Sequence, residues 1–481
     1  MSLWLYINGQ LWYSVLVKTN AKGYIMQKTT LVEKIGYGFA SLGDATAYGF
    51  IGVFLLFFLT TIAGISPATA GTIAAVGSIW NAVVNPVMGY IADKVQTRFG
   101  RRRPMMLAFS LPLALGMFLV FTNVDLPENI KPIYYGFLVM LYWTGYTGFF
   151  VPYLALGADY TTDYDDRTIL RLFGSFFNML GATLSMVMPT MIVEFLEHHG
   201  MTSESAWSKT ALLLGVIAAA TIVITVVASK NKDLPCEKHE KQEIHITKEI
   251  LNIFKEYGEV ALLKPMKYLI VASLCSLVTY TMIMSDMVYL FTYNLGLDAG
   301  EISACLLART ILGGILIPIV SKIVLRTDKR ETLIGFYLFG MAGMIVIKVM
   351  GIVGFTGLCA YIFFATICTT IYWQIMPSVF YDMCEYDKVT TGKNRTATIV
   401  SFQGLVEALA VGIGGQVLGW ILEWAGFSGE AQMQSELAMT WIENSGTMIP
   451  IIFLAIAAVA LYKYPINKKV YNQLINVRKE D

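Results

Sequence analysis

The sequence predicts an all-α membrane protein: twelve transmembrane helices in two six-helix halves, with both termini in the cytoplasm. Three observations predict it: an apolar composition, the number and length of apolar stretches, and the one-sided placement of basic residues between them. Of 481 residues, 56% are hydrophobic and 14% charged, too little charge to cover a soluble protein of this length. The net charge of +1 provides no field to attract nucleic acid. The six cysteines are scattered without a CxxC pair, so neither a disulfide framework nor a zinc site is expected. His198, His199, His239 and His245 lack ligand spacing and read as ordinary surface residues.

A helix crossing the hydrocarbon needs about 20 apolar residues. In the first half such stretches are Ile35–Thr61, Ala68–Ala92, Met105–Asn123, Pro132–Gly157, Leu172–Phe195 and Ser208–Ala228. In the second they are Lys267–Phe291, Glu301–Ile323, Thr332–Gly351, Phe355–Tyr381, Thr396–Trp424 and Thr447–Tyr464. The resulting division is an N-terminal segment 1–34, a first half 35–229, a linker 230–266, a second half 267–464 and a tail 465–481.

Alternate loops set the orientation. One set carries Lys28, Lys34, Lys94, Arg98, Arg101, Arg102, Arg103, Arg167, the lysine-rich linker, Lys322, Arg326, Lys329, Arg330, Lys388, Lys393 and Arg395. The opposite loops, such as "ISPATAG" and "EHHGMTSES", are nearly free of basic charge. Basic loops stay in the cytoplasm, so the chain is expected to be a multi-pass protein of the cell membrane. In the linker, Ile246, Ile250, Ile253, Tyr257 and Val260 share one face of an expected amphipathic helix. The opening "MSLWLYINGQLWYSVLV" has no basic start, and Asn8, Gly9 and Gln10 interrupt it, so it is not read as a signal peptide. Met26 is the expected true start.

The halves echo each other. "VPYLALGADYTTDYDDRT" follows the fourth span and "MPSVFYDMCEYDKVTTGKNRT" the tenth. Each has a proline near a span end, an acidic loop with tyrosine, and then Arg-Thr. Duplicated halves place a substrate site near the midplane between them and suit alternating access. In "GYIADKVQTRFGRRRP", Asp93 with Arg101, Arg102 and Arg103 reads as a conformational latch; the cluster also satisfies the positive-inside bias.

These segments, together with "EKIGYGFASLGDA" and "NPVMGYIADKVQTRFGRRRP", resemble the glycoside–pentoside–hexuronide:cation symporter family of the major facilitator superfamily, which includes the melibiose carrier. The resemblance runs from about Lys34 onward. It implies that Asp44, inside the first span, accepts hydrogen bonds from sugar hydroxyls. Physics agrees: a carboxylate can hold two vicinal hydroxyls, and a membrane-embedded acid is functional by default because its burial is costly. The competing reading is an acid that snorkels or pairs structurally. The resemblance also places Tyr146 and Trp373 at the substrate, where an aromatic ring can pack on the apolar face of a sugar.

The chain departs from the family pattern at several positions. Asn81 and Asn85 stand where the family has acidic cation ligands, and Phe150 replaces a further acid. Gly174 or Ser175 falls where an arginine is expected, and Glu407 where a lysine is. The family sodium site is therefore expected to be lost, leaving H+ as the favoured coupling ion, with Asp44, Asp286 or Glu407 as carrier. Lys348 is expected to snorkel; for Arg309 two readings stand side by side, a structural pair with Asp286 or Glu407 and a role in transport.

The functional expectation is a secondary carrier of a glycoside or sugar-like solute. The alternatives are a carrier of an amphipathic solute, such as a steroid-like or aromatic glycoside or its aglycone, and an uncoupled facilitator. No GxxxxGK[ST] loop appears, so no ATP-driven pump is expected. No nucleophile–base set or metal constellation marks an enzyme. No cofactor is expected. The expected partners are a small solute and the bilayer, with no nucleic acid, and the working unit a monomer.

Overall fold

The computed structural model describes residues 29–94, 97, 99–160, 164–230, 232, 255–392, 395–429, 431, 433–470 and 473. Among them there is no strand. The first half comprises α1 (Leu31–Phe57), α2 (Pro67–Lys94), α3 (Arg103–Val120), α4 (Lys131–Asp159), α5 (Tyr164–His198) and α6 (Ser203–Ala228). The second comprises α7 (Lys264–Tyr289), α8 (Ala299–Arg326), α9 (Lys329–Met350), α10 (Gly354–Thr391), α11 (Thr396–Trp424), α12 (Glu436–Gly446) and α13 (Met448–Lys463). Met26, Ile246, Ile250 and Ile253 lie outside the described residues; Tyr257 and Val260 lie on a short helical stretch, 255–261.

Eleven helical segments among the described residues are long and apolar enough to cross a membrane. The helix outside that set is α4, long enough at 29 residues but diluted by Tyr134, Tyr135, Tyr142, Trp143, Tyr146 and Tyr153. The expectation of twelve spans therefore rests, at α4, on length rather than hydropathy. Outward-pointing Leu111, Phe137, Leu172, Val216, Phe339 and Ile452 are exposed, as a lipid-facing surface requires and a water-facing one penalises.

Helix starts follow local chemistry. Thr30 and Glu33 form a capping box on α1, as Asp298 and Glu301 do on α8, each pair satisfying amides that the first turn leaves open. Helices α4 and α7 begin with proline in the first turn, where its missing N–H costs nothing. Pro152 in α4 and Pro377 in α10 are the prolines of the repeated segments. At mid-helix each removes a backbone donor.

Close approach of α1 to α5 depends on Gly181. A Cβ there would lie 2.3 Å from the Leu42 carbonyl oxygen, which no rotamer change can relieve. Part of the expected loop before the last span is helical instead. Ser435 caps α12 by accepting from the Ala438 amide at 3.1 Å, and α12 then meets α13 at a break beside Thr447.

Both halves begin alike. Helix α1 runs into a π turn, Phe58–Ile62, and α7 into another, Leu290–Asn294. Ala63 N–H donates to Phe58 O and Ile65 N–H to Leu59 O; Leu295 N–H donates to Leu290 O and Leu297 N–H to Phe291 O. Gly64 and Gly296 follow at φ 67° and 61°, a conformation glycine adopts without the Cβ penalty. This second echo between the halves is an addition to the one read from the sequence.

Candidate functional site

Asp44 sits halfway along α1 and is 9% exposed. The Tyr146 hydroxyl on α4 donates to its Oδ1 at 2.6 Å. Asn178 Nδ2 on α5 approaches its Oδ2 at 3.4 Å. The acid is thus fixed by two neighbouring helices and has lone pairs to spare. Phe150, one turn along α4, stacks on Tyr146 with ring centroids 5.3 Å apart and 19° between planes. Three residues singled out from the sequence therefore form one cluster.

Glu407 on α11 faces this cluster from the second half. Tyr48, one turn after Asp44, donates its hydroxyl to Glu407 Oε1 at 2.7 Å. The Tyr48 ring lies 5.8 Å from that of Tyr146, so a continuous path, Asp44–Tyr146–Tyr48–Glu407, bridges the halves. Trp143 meets both rings, at 5.8 Å and 5.4 Å. Trp373, on the second half, is 37% exposed and packs edge-on against Tyr280 and Tyr372.

Asn81 and Asn85 do stand on one face of α2, but they bind each other. Asn85 Nδ2 donates to Asn81 Oδ1 at 3.0 Å, and Thr147 Oγ1 donates to the same oxygen at 2.8 Å. With two donors already on Asn81 Oδ1, little acceptor capacity is left for a cation.

One expected partnership is corrected. Arg309 pairs with neither Asp286 nor Glu407. Its Nη2 donates to Thr369 Oγ1 at 3.2 Å, and its Nη1 lies 3.8 Å from Met186 Sδ. A tyrosine already occupies Glu407. Lys348 also has a partner: Glu443 on α12, outside the expected spans, comes within 3.1 Å of its Nζ. Asp286 is 0% exposed, and neither of its oxygens has a hydrogen-bond partner.

At the basic end, Arg103 donates to the Val226 carbonyl at 2.6 Å and to the Phe99 carbonyl at 3.1 Å, tying α3 to α6 within the first half. Arg101 and Arg102 lie beside it, Arg102 buried; the Asp93 side chain lies outside the described residues. Asp166 binds Lys34 Nζ at 2.7 Å and the Thr29 amide at 3.0 Å. Burial opposes its ionisation, but the Lys34 ammonium and the Thr29 donors outweigh that and hold the carboxyl at about 2. Arg395 reaches Asp387 Oδ1 at 2.5 Å and Oδ2 at 3.0 Å.

At the opposite end the halves touch each other. Thr60 Oγ1 lies 2.7 Å from the Tyr289 hydroxyl, and Thr61 Oγ1 3.2 Å from that of Tyr293, so the two π turns meet. Thr190 and Ser303 join α5 to α8 at 2.6 Å. Glu423 accepts from the Ala68 amide at 2.8 Å.

Sequence reasoning missed Tyr48, Asn178 and the π turns. Asn178 was within reach: it follows Gly174 by four residues, one helical turn along the face where a polar partner for Asp44 was expected. Tyr48 likewise follows Asp44 by four.

The described residues, helical with an apolar outer surface and acids where the halves meet, have the build of a secondary transporter of the major facilitator type, and the family match and the relatives show the chain to be one, a multi-pass protein of the cell membrane and not an enzyme. The chain belongs to the MFS/sugar transport protein family, whose pattern matches residues 36–468. It is 25% identical over 459 residues to the isoprimeverose transporter of Lactiplantibacillus pentosus, covering 91% of this chain and 89% of that one. It is 22% identical over 445 residues to the glucuronide carrier protein homologue of Escherichia coli strain K12, covering 92% and 94%. Its fold resembles the solved structure of a bacterial homologue of the human lysosomal transporter Spinster, with TM-score 0.63, 14% identity, and 90% and 96% of the chains covered.

Proposed function

We propose that the chain carries a glycoside or related polyhydroxyl solute across the cell membrane by alternating access, as a monomer, with the basic loops and both termini in the cytoplasm. The observation that carries this reading is Asp44: a buried carboxylate fixed by Tyr146, walled by aromatic rings and faced by Glu407 from the other half. Sugar hydroxyls donate to the free lone pairs of the acids, and the rings pack on the apolar face of the pyranose. Relatives named for isoprimeverose and glucuronide transport support a sugar-like cargo. If uptake is coupled, protons are the expected ion, because the family's sodium position holds two mutually bonded amides. A thermal-shift screen of sugars and glycosides on the purified protein tests the reading. A shift by a sugar-like solute that Asp44→Asn abolishes supports it; shifts unchanged in that variant overturn it.

Phe150 favours a second reading. Its ring replaces an acid and stacks on Tyr146, making one wall of the cluster apolar. An aromatic or steroid-like glycoside would cover that wall, whereas a free sugar would leave it bare. Larger shifts with aromatic glycosides than with the parent sugars would favour this reading.

A further inference from the structure

Among the described residues, Asp286 differs from five other buried or part-buried acids. Asp44 and Glu407 each accept from a tyrosine, and Asp166, Asp382 and Asp387 each pair with a lysine or arginine. Asp286 has neither kind of partner. Two more unpartnered oxygens, the Tyr361 hydroxyl on α10 and Ser445 Oγ on α12, belong to residues that are also 0% exposed. Asp286 and Tyr361 converge on the break in the last span, where Ser445 precedes Gly446 in the chain: a Cβ added at Gly446 would lie 2.4 Å from Asp286 Oδ2 and 2.9 Å from the Tyr361 hydroxyl. Pro450, four residues after Gly446, has no N–H to offer its carbonyl.

Tyr361 apart, the charged and titratable groups around Asp286 have partners elsewhere. Tyr289, three residues along the same helix, binds Thr60. Glu443 on α12 is paired with Lys348 of α9. Arg309 on α8 donates through Nη2 to Thr369, and its Nη1 lies near Met186 Sδ, while its Nε has no partner. A bare carboxylate in this position would carry an uncompensated charge inside the bilayer, which is costly. The crowding of Asp286 and Tyr361 onto Gly446 leaves no room for a metal ion with its oxygen shell, whereas a proton needs none.

Position gives the site its use. Asp286 lies one turn before the second π turn and directly under the Thr60–Tyr289 contact that holds the halves together at that end. We propose that Asp286, flanked by Tyr361 and Ser445, is a proton-binding site that exchanges with outside water only when that end is parted, and that the end closes only over the protonated acid. The reaction is protonation alone: the carboxylate takes a proton from hydronium, one O–H bond forms, one breaks, and no electrons move. The inference rests on the alternating-access reading and adds the group whose protonation sets the conformational equilibrium.

The test uses the full chain in nanodiscs without solute. Spin labels replace His199 and Met433, exposed residues on opposite halves at the Thr60 end, with Cys236 and Cys359 changed to Ser. The distance between labels is followed as pH is raised. The wild-type background should gain a longer-distance population at high pH. Asp286→Asn, uncharged at every pH, should keep the short distance throughout, and Asp286→Glu should restore a pH response. If Asp286→Asn does not fold, infrared difference spectra of the wild type should show a carboxylic-acid band lost on raising pH as the long distance appears. A wild-type pH response in Asp286→Asn, or a wild type with neither response nor band, overturns the proposal. Because no solute is present, such a failure alongside intact solute binding removes the proton site and leaves the carrier reading standing.

Discussion

The leading helices of the two halves, α1 and α7, share an architecture and differ in where each places its acid. Both run into a π turn with matching hydrogen bonds and a glycine at positive φ, and the two turns meet at Thr60–Tyr289. In α1, Asp44 sits about four turns before its π turn, at mid-helix; in α7, Asp286 sits about one turn before its own. The first acid is held by hydrogen-bond donors beside an aromatic wall; the second is fully buried and without a hydrogen-bond partner beneath a contact between halves. A duplicated scaffold thus supports two kinds of acid, and distance from the π turn separates an acid suited to binding a solute from one suited to sensing closure.

The largest expected effect breaks the first side of this comparison. Asp44→Asn should abolish specific solute binding while leaving expression and thermal stability near wild type, because Tyr146 can still donate to the amide oxygen. Binding isotherms for whichever glycoside shifts the wild type provide the check; wild-type affinity would show that Asp44 serves structure alone. A smaller effect sharpens the role of the path between halves. Tyr48→Phe removes the hydroxyl bound to Glu407 but keeps the ring, and should cost about 1 kcal/mol of the wild type's stability, with solute affinity falling less than in Asp44→Asn. Affinity lost as completely as in Asp44→Asn would make Tyr48 a ligand and not a strut.

Much of this was legible in the sequence, for physical reasons. Lipid demands continuous apolar helices, so span positions could be read from hydropathy, and Asp44 stood out because a membrane acid is costly. The aromatic α4 was harder: its tyrosines, which build the site wall, are what lower its hydropathy. The helix Glu436–Gly446 was read as loop because its polar face hides a short helix, and with it went the partner of Lys348. The pairing of Arg309 could not be read at all, since the facing of side chains on separate helices depends on packing that sequence spacing leaves open. The π turns leave no mark in hydropathy; only alignment of "FLTTIAG" with "LFTYNLG" could have exposed them.

Next in size is the basic end. Replacing Arg101, Arg102 and Arg103 together with Gln should slow transport severalfold while changing solute affinity little, since Arg103 ties α3 to α6 far from Asp44. Comparison of turnover with equilibrium binding in correctly inserted protein decides; unchanged turnover would reduce the cluster to a topology signal.

The remaining expected effect concerns Asp166, an acid outside the spans whose partners are known. Burial works against its charge, yet Lys34 and Thr29 hold its carboxyl at about 2, below the value near 4 of an unfolded aspartate. A depressed folded-state value means that the group stabilises the fold at any pH above about 4 and loses that contribution as pH falls through the folded value of about 2. The contact joins Thr29 and Lys34, at the entry of α1, to the start of α5, and a shift of that size is worth about 2–3 kcal/mol. Asp166→Asn should lower the melting temperature at neutral pH. The difference should shrink near pH 2, where the wild-type carboxyl is about half ionised, and vanish near pH 1, below the folded-state value of about 2, where the wild type has lost the same charge. Curves that stay apart near pH 1 would mean that packing of the side chain, and not its ionisation, ties α1 to α5. The contrast with Asp286 would then rest on hydrogen-bond partners alone.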